Sequence, residues 1–271
     1  MPPTPFEIGS SVLTSSLRLW NGTWGKLPSH TPAQELELFD REDDAQCRQV
    51  REVLTELNLD AVIYPCPKGG QRHQRKRLQL QARALHSQPE LPLLHDPNTG
   101  KVMAGAKPII EYLFAQYLGQ APHIRLQPGR INRMNAQFAG MARGLGRGLG
   151  PIQAEPASQP RKMLSLYSFE SSPYARLVRE RLCALELPYH LINVGKQQWG
   201  EMGPAKRRLA PGPYQPLPGS KREQFLQQYG KVQIPMLHDP NSGASIFESD
   251  DIIHYLEQTY AKNVVRAKSK A

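Results

Sequence analysis

Cysteines and long apolar runs are both scarce in this chain. Its 271 residues include only three cysteines, Cys47, Cys66 and Cys183, which show neither CxxC nor metal-ligand spacing. The odd number and the spacing argue against a disulfide framework or a structural zinc site and favour a reducing compartment. No apolar run approaches the roughly 18 residues of a membrane-spanning helix, and the first residues lack the pattern of a secretory signal. We therefore expect a cytoplasmic protein.

Aromatic residues are also few, at 7%, whereas basic residues outnumber acidic ones and give a formal net charge of +10. Acidic residues are nearly absent from a connector in which five arginines recur: Arg125, Arg130, Arg133, Arg143 and Arg147. Without interleaved aromatic residues or a nucleic-acid-binding module, this charge does not predict binding to nucleic acid. Two interpretations stay open. The connector is either a solvated linker, which we favour, or a surface for an acidic protein or an anionic membrane.

The chain carries one pattern twice. Residues 38–52 recur as residues 166–180, and residues 92–100 recur as residues 235–243. The offset between the copies increases from 128 to 143 positions, which locates an insertion of 15 residues in the second copy, between residues 196 and 234. One unit of about a hundred residues has therefore been duplicated, and each copy is long enough to fold around a core of its own.

The second copy shows the order of elements most clearly. Ser172 and Pro173 are typical of the N-cap and the first residue of a helix, and Ser249 is predicted to cap the last helix. Strands are predicted at residues 163–167, 189–194, 233–237 and 244–247, and helices at residues 174–186 and 251–260. A β-α-β half followed by a β-hairpin and a helix predicts a mixed sheet with helices on its faces.

This layout resembles the thioredoxin fold as it occurs in glutaredoxins and in the N-terminal domain of glutathione transferases. Three motifs carry the resemblance, namely the start of the active-site helix, the cis-proline and the glutathione motif: Ser172-Pro173-Tyr174-Ala175, Ile234-Pro235 and Glu248-Ser249. The resemblance covers about residues 35–120 and 162–262. It implies an α/β chain of two tandem thioredoxin-like domains, each a mixed sheet with flanking helices.

The repeat divides the chain into five predicted segments. They are an N-terminal extension with an amphipathic helical pattern, a degenerate first domain, a basic glycine-rich connector, a glutathione-binding second domain and a basic tail: residues 1–34, 35–122, 123–161, 162–262 and 263–271.

Apolar residues recur at helical spacing in the extension and in the connector: Leu13, Leu17, Trp20 and Trp24, and then Ile131, Met134, Phe138, Met141 and Leu145. These helices either lie on an anionic membrane or pack between or across the two domains, and we favour packing. Four glycines between residues 143 and 150 predict that the connector helix ends after Ala142 and that residues 143–160 form a flexible link.

The resemblance assigns the sulfur end of a glutathione site to the start of a helix. In the family, the residue at the position of Ser172 meets the sulfur of glutathione, and Pro173 and Tyr174 follow it. The helix N-terminus favours a thiolate there. Because only a thiolate attacks a disulfide, a serine implies glutathione transfer rather than thiol–disulfide exchange. The alternative is that Ser172 serves only as an N-cap.

The resemblance also assigns the rest of the tripeptide. The backbone of Ile234, held by the cis bond to Pro235, pairs with the cysteinyl part. Glu248 meets the γ-glutamyl ammonium, and the Ser249 hydroxyl and the helix N-terminus take its carboxylate. The alternatives are a cis-proline retained for the fold, a surface acid and an ordinary N-cap.

The first copy departs from the same pattern. Asp44 stands at the position of Ser172, where its charge would repel a thiolate. Gly105 and Ala106 replace the glutamate and serine and offer neither a carboxylate nor a hydroxyl. Cys47 is interpreted as an inert core thiol. We therefore expect the first copy to be a scaffold.

The resemblance thus implies a glutathione-binding protein, with glutathione as its ligand or substrate. No metal is expected, because the turn histidines His95 and His238 lack further ligands nearby in the sequence. The helical domain that gives full transferases their second-substrate site is missing, unless the first copy or a partner supplies that site. Whether the chain is an enzyme, and its oligomeric state, stay open. The alternative is a non-catalytic scaffold that binds an acidic protein or an anionic membrane through four connector arginines: Arg130, Arg133, Arg143 and Arg147.

Overall fold

The structure is a computed structural model that describes residues 3–26, 31–83, 91–127, 129–147, 150–203 and 214–262. The helices are α1 (Pro5–Leu17), α2 (Ala45–Glu56), α3 (Gln74–Arg83), α4 (Ala106–Leu118), α5 (Arg130–Arg147), α6 (Pro173–Ala184), α7 (Lys221–Tyr229) and α8 (Ser249–Thr259). The strands are β1 (Leu36–Asp40), β2 (Ala61–Pro65), β3 (Leu93–Asp96), β4 (Lys101–Ala104), β5 (Leu164–Ser168), β6 (Tyr189–Asn193), β7 (Met236–Asp239) and β8 (Ala244–Phe247). A short 3-10 helix spans Trp199–Glu201.

The strands form one eight-stranded mixed sheet in the order β4-β3-β1-β2-β6-β5-β7-β8. Within each copy the first two strands are parallel. The first hairpin strand, β3 or β7, is antiparallel to β1 or β5, and the two strands of each hairpin are antiparallel to each other. The predicted fold, two tandem thioredoxin-like units with flanking helices, is therefore confirmed. The copies are joined where β2 pairs with β6 in antiparallel fashion, with Ala61 opposite Leu191 and Ile63 opposite Tyr189. No pattern in the sequence predicts this junction.

The repeated apolar residues build the core. Leu38, Val50 and their counterparts Leu166 and Val178 are fully buried, and they belong to one hydrophobic cluster that runs through both copies. The helices of each copy supply apolar residues at helical spacing, so each presents a single stripe to the sheet. Burying an aliphatic side chain of this size stabilises a fold by about 1.5–3 kcal/mol. The core therefore fixes the frame on which the helix starts of the site are placed.

Charged side chains fill the interior where the copies meet. Arg51 on α2 is 1% exposed and pairs with Asp40 at 2.6 Å and with Glu170 of the other copy at 3.0 Å. Arg179 on α6 is also 1% exposed and pairs with Glu42 of the first copy at 3.0 Å. Burial raises the pKa of the Glu170 carboxyl, but nearby arginines outweigh it and lower that pKa to about 2. Arg51 and Arg179 are therefore matched by the carboxylates of Asp40, Glu42 and Glu170, as burial demands.

The predicted end of the connector helix is wrong. Helix α5 continues five residues past Ala142, through two of the glycines, to Arg147. Arg143 is buried there and pairs with Glu180 at 2.6 Å. A Cβ built on Gly146 would lie 1.9 Å from the Ser10 hydroxyl oxygen of α1, so this glycine permits the close contact of the two helices. Tertiary contacts therefore override the low helix propensity of glycine.

The stretch after α5 does not form the flexible link that the glycines predict. The Lys68 N–H donates to the Ile152 carbonyl at 2.8 Å, and the Ile152 N–H donates to the Asp43 carboxylate at 2.7 Å. Further along, Ala157 forms a bridge with Ala261. The backbone of this stretch is thus held along the body of the protein by hydrogen bonds, which a sequence without a periodic pattern does not reveal.

Helix α1 packs against α5 and α6, with the opposite face from the one predicted. The residues in contact are small and polar, namely Ser10, Ser11, Thr14 and Ser15, and all four are buried. Leu13 and Leu17, which we expected to pack inward, are 51% and 38% exposed. The helix also ends at Leu17, so Trp20 and Trp24 lie outside it. Small residues and hydroxyl-to-carbonyl hydrogen bonds explain why this face is buried.

The apolar residues predicted to pack from the connector helix are exposed as well. Ala136 and Ala139 are buried on α5, whereas the larger apolar residues are 55–85% exposed: Ile131, Met134, Phe138, Met141 and Leu145. The inner face of α5 is thus made of small residues that allow close approach to α1 and α2. Within the described part of the chain, no helix is both long and apolar enough to cross a membrane.

Candidate functional site

A cavity of about 670 Å³ lies at the start of α6 in the second copy. Its volume falls in the range of about 300–1,000 Å³ that is usual for ligand sites. Six of the seven predicted site residues line it: Ser172, Pro173, Tyr174, Ile234, Pro235 and Glu248. The seventh, Ser249, is buried next to Glu248 at the start of α8 but does not line the cavity. The fold thus brings together residues that are more than 70 positions apart in the sequence.

Ser172 is the N-cap of α6. Its hydroxyl oxygen accepts the Ala175 N–H at 3.2 Å, as an N-cap requires, and the side chain is 3% exposed. The hydroxyl keeps its own hydrogen, so it is able to donate to an acceptor in the cavity. The first turn of α6 carries no acidic residue. The positive end of the helix dipole therefore acts on the cavity without a nearby carboxylate from that turn to offset it.

Glu248 has an unusual backbone. It adopts φ +66°, in the left-handed region that non-glycine residues rarely occupy, and it is the N-cap of α8. The equivalent residue of the first copy is Gly105, with φ +82°. A non-glycine residue in this region costs about 1 kcal/mol or more, and such strain occurs mostly at functional sites. The Glu248 carboxylate accepts a hydrogen bond of 2.5 Å from the Gln233 amide, which lies beside the cis peptide bond between Ile234 and Pro235.

The predicted cap of α8 is therefore wrong by one residue. Ser249 is the first helical residue rather than the N-cap, and its hydroxyl donates to the Asp250 carboxylate at 3.2 Å. The positive φ of Glu248 turns the chain into the helix one residue earlier than a serine cap would. The N–H groups at the start of α8 consequently follow directly after the Glu248 carboxylate.

The insertion of the second copy supplies lining residues that the sequence analysis missed. They are Lys196, Glu201, Met202, Gly203, Arg222 and Val232. Arg222 donates to the Val194 carbonyl at 2.9 Å and lies 3.7 Å from the Glu201 carboxylate, so its charge is held in place. The sequence does contain a pattern that points to these residues, because the first copy lacks both this insertion and the site motifs. Extra residues in the copy that keeps the motifs point to the site.

The extension before the first copy also reaches the cavity. Val12 of α1, and Trp20 and Thr23 after it, belong to the lining. Among the described residues, none of those that line the cavity comes from the first copy of the repeat. The site is therefore formed by the second copy together with a segment that precedes both copies.

In the first copy, side chains of the chain itself bond to N–H groups at the starts of α2 and α4, the positions equivalent to the site. The Asp44 carboxylate accepts the N–H groups of Gln46 and Cys47 at 2.8 and 3.0 Å. The Gln46 side chain in turn accepts the Ala106 N–H at the start of α4, at 3.4 Å. The helix starts that would receive an anion are thus bonded to the chain itself. This supports the prediction that the first copy is a scaffold.

The cysteines and turn histidines are placed as parts of the fold. All three cysteines are buried and unbridged, and burial is the main cause that raises the thiol pKa of each, for Cys66 to about 11. His95 contacts Glu37 at 2.8 Å, and His238 contacts Ser245 at 2.9 Å. Across the described ranges, no three histidine, cysteine or acidic side chains are grouped to hold a metal ion.

Comparison with known proteins gives one family. The model of the glutathione S-transferase N-terminal domain matches two segments, residues 38–121 and 166–264, which together make up more than half of the chain. The first segment begins within β1 and includes β2–β4, and the second begins within β5 and includes β6–β8, so each match corresponds to one half of the sheet. Searches of curated proteins and of solved structures give no significant match.

Proposed function

This chain belongs to the glutathione S-transferase N-terminal domain family, and from that we propose that its second copy binds glutathione in the cavity beside Ser172. The observation that carries the proposal is the convergence of six predicted site residues on one cavity of about 670 Å³. The strained backbone of Glu248 supports it, because the first copy, which lacks the site motifs, has a glycine, Gly105, in the same backbone region.

The ends of the cavity differ in a way that suits the tripeptide. Glu248 offers a carboxylate to the γ-glutamyl ammonium, and the start of α8 offers N–H groups to the γ-glutamyl carboxylate. Ile234 and Pro235 lie next to Gln233, the residue that fixes Glu248. Ser172 lies at the positive end of α6, where the cysteinyl sulfur is stabilised as a thiolate.

We further propose that the bound thiolate is the nucleophile of a transfer reaction. The Ser172 hydroxyl donates a hydrogen bond to the sulfur and keeps it oriented, and the thiol proton leaves to solvent. Thiol–disulfide exchange is disfavoured for two reasons. A serine forms no mixed disulfide, and burial raises the thiol pKa of Cys47 and Cys183, so few thiolates are present to attack a disulfide. The unbridged thiols also support the cytoplasmic location expected from the sequence.

Calorimetric titration with reduced glutathione tests the binding site. We expect saturable binding to the wild-type chain, loss of binding in Glu248→Ala, and unchanged binding in Asp251→Ala, which removes an exposed acid from the same helix. Absence of heat from the wild-type chain at millimolar glutathione would refute the proposal.

A second titration isolates the role of the serine. Ser172→Ala should leave glutathione bound but raise the pKa of the glutathione thiol. The ultraviolet absorbance of the thiolate measures this pKa. Ser220→Ala is the matched control, because Ser220 is also a buried N-cap, at the start of α7. Removing either capping hydroxyl should lower the free energy of unfolding by about 0.5–2 kcal/mol. An equal thiol pKa in both variants would mean that Ser172 is only a cap.

A second candidate function rests on an exposed surface, which we call the apolar face. It consists of outward residues of two adjacent helices, α1 and α5: Phe6, Leu13, Leu17, Ile131, Met134, Phe138, Met141 and Leu145. Exposed apolar patches of this kind mark interaction sites. Arg130 and Arg133 on α5 are exposed as well, and the sequence has no acidic residue between Glu111 and Glu155. We propose an anionic membrane as the occupant, because a second copy would bring like charges together.

The arginines available to such a membrane are fewer than the sequence suggests. Arg143 is buried against Glu180 and cannot reach a lipid, and the side chain of Arg147 lies outside the described residues. Sedimentation with phosphatidylserine vesicles should retain the wild-type chain and the control Leu78→Ser on α3, but not Phe138→Ser. Equal retention by neutral phosphatidylcholine vesicles, or by the Phe138 variant, would count against this function.

A further inference from the structure

Helix α1 lies outside both repeats, yet it is hydrogen-bonded to the start of α6. The hydroxyls of Ser11 and Ser15 donate to the carbonyls of Pro173 and Ser171, each at 2.8 Å. In return, the Arg176 guanidinium of α6 donates to the Ser11 carbonyl at 2.7 Å. Because donors and acceptors come from both helices, α1 is fixed in register with the residues on either side of Ser172.

The turn after α1 is fixed to the same segment. The Ser171 N–H donates to the Gly22 carbonyl at 3.2 Å, and the hydroxyls of Thr23 and Ser171 lie 2.5 Å apart. The Lys196 N–H donates to the Thr23 carbonyl at 2.7 Å. The extension therefore connects the start of α6 with the start of the insertion, which is the other added segment at this cavity.

Two apolar side chains of the extension are exposed to the cavity. Val12 follows Ser11 directly and is 38% exposed, and Trp20 is 42% exposed. Leu19 and Trp20 both have left-handed backbones, with φ +52° and +57°. Each such residue costs about 1 kcal/mol or more, so the hydrogen bonds around Ser171 must hold this turn in place.

These apolar groups lie at the sulfur end of the proposed ligand. Ser11 bonds to Pro173, the residue after Ser172, and Val12 is next to Ser11 along the chain. Glu248, which would hold the glutamyl end, belongs to α8, whereas α1 packs against α5 and α6. Tyr174, 44% exposed, adds a ring to the same part of the lining.

We propose that α1 and the turn after it form the second-substrate wall of this site, with Val12 and Trp20 receiving an apolar or aromatic electrophile beside the glutathione sulfur. The inference rests on the proposed glutathione site. The extension then supplies the second-substrate site. From the sequence we expected this site only from the first copy or from a partner. In the reaction, the thiolate sulfur forms a bond to the electrophilic carbon. The bond from that carbon to the leaving group breaks, and the leaving group departs with its electron pair.

The test compares two ligands on the full chain by calorimetry: glutathione, and S-hexylglutathione, whose alkyl chain occupies the place of the electrophile. We expect the hexyl form to bind about tenfold more tightly, which at about 1.4 kcal/mol per factor of ten corresponds to burial of about two methylene groups. In Trp20→Ala and Val12→Ser the two ligands should bind with similar affinity, while the affinity for glutathione changes less than about twofold.

Leu13→Ser is the matched control, because Leu13 lies on the same helix but is absent from the cavity lining. It should keep the preference for the hexyl form. Binding of glutathione without that preference, or a preference unchanged in both Trp20→Ala and Val12→Ser, overturns this inference and leaves the glutathione site standing. Failure of both ligands to bind overturns the glutathione site and this inference with it. Val12 is a surface position, so its variant keeps the test valid if the Trp20 variant unfolds.

Discussion

Arg51 and Glu170 belong to different copies of the repeat and form a buried ion pair of 3.0 Å. Arg179 and Glu42, their counterparts 128 positions away in each direction, form the same pair at 3.0 Å. The two pairs are thus related by an approximate twofold axis between the copies. The same two positions of the repeated unit therefore meet twice, as equivalent residues do at the interface of a symmetric dimer.

The first prediction concerns this network. Arg51→Met should lower the free energy of unfolding by about 3–5 kcal/mol, because it leaves buried carboxylates without their partner. Denaturant unfolding measures the change. Arg133→Met, at an exposed position of α5, should alter stability by no more than about 0.5 kcal/mol. A loss below about 1 kcal/mol in the Arg51 variant would show that the network is not needed for stability.

The second prediction separates stability from binding at Glu248. Glu248→Gly should raise the free energy of unfolding by about 1 kcal/mol, since glycine adopts φ +66° without strain, and should abolish glutathione binding. Thermal unfolding and calorimetry measure the two effects. Gly105→Ala, at the equivalent position of the first copy, should destabilise the chain and leave binding intact. A glycine variant that is less stable than the wild type would contradict the argument from strain.

The third prediction uses two glycines of one helix. Gly146→Ala should destabilise the chain by about 1–3 kcal/mol, because the added methyl group collides with Ser10 on α1. Gly144→Ala meets nothing within 4 Å and should gain up to about 1 kcal/mol of helix stability. Chemical denaturation of both variants checks the contrast. Stabilisation by both alanines would mean that α1 moves aside at little cost.

The fourth prediction concerns acid sensitivity. His73 is buried, and its imidazole contacts the Glu186 carbonyl of the other copy at 3.2 Å. Burial, aided by Arg72 and Lys76, lowers the pKa of His73 from 6.5 to about 4. The unfolded chain therefore binds more protons between these values, and stability should fall by up to about 3 kcal/mol as pH drops from 6.5 to 4.

Denaturation at several pH values tests this, because His73→Gln should flatten the dependence on pH over that range. His190→Gln should act at higher pH instead. A hydrogen bond with Glu35 raises the pKa of His190 above 6.5, so the stabilisation from this pair is complete below pH 6.5 and is lost as pH rises above that value. An unchanged slope in the His73 variant would place the acid sensitivity elsewhere.

Much of the fold was predictable because the chain repeats itself. Paired apolar residues such as Leu38 and Leu166 define the same strand twice, and the turn motifs fix the hairpins. Six residues of the cavity were also predictable as a set, because they match short motifs of one family, whereas the lining residues of the insertion and of the extension match no such motif. The pairing of β2 with β6 was not, since their apolar runs fit a central strand of any sheet.

The helices outside the repeats show why the rest was missed. Periodicity identifies the apolar stripe of α1 and α5, and we assumed that the stripe would be buried. In the structure the opposite faces are buried, through Ser11, Ser15 and Ala139. Hydroxyl groups bonded to carbonyls are as well satisfied in the interior as in water, and small side chains permit close packing. One signal was overlooked: Val50-Arg51-Glu52 recurs as Val178-Arg179-Glu180, so the same charged residues are present in both copies.

The pairing of β2 with β6 has a consequence for the order in which the chain is made. The first copy leaves the ribosome before the second and presents β2 as an unpaired edge, onto which the arriving β6 adds. A fragment that holds only the second copy would expose β6 with no strand beside it, and bare edges of this kind recruit strands of other molecules. By covering the β6 edge with β2, the degenerate first copy therefore protects the copy that keeps the site motifs from aggregation.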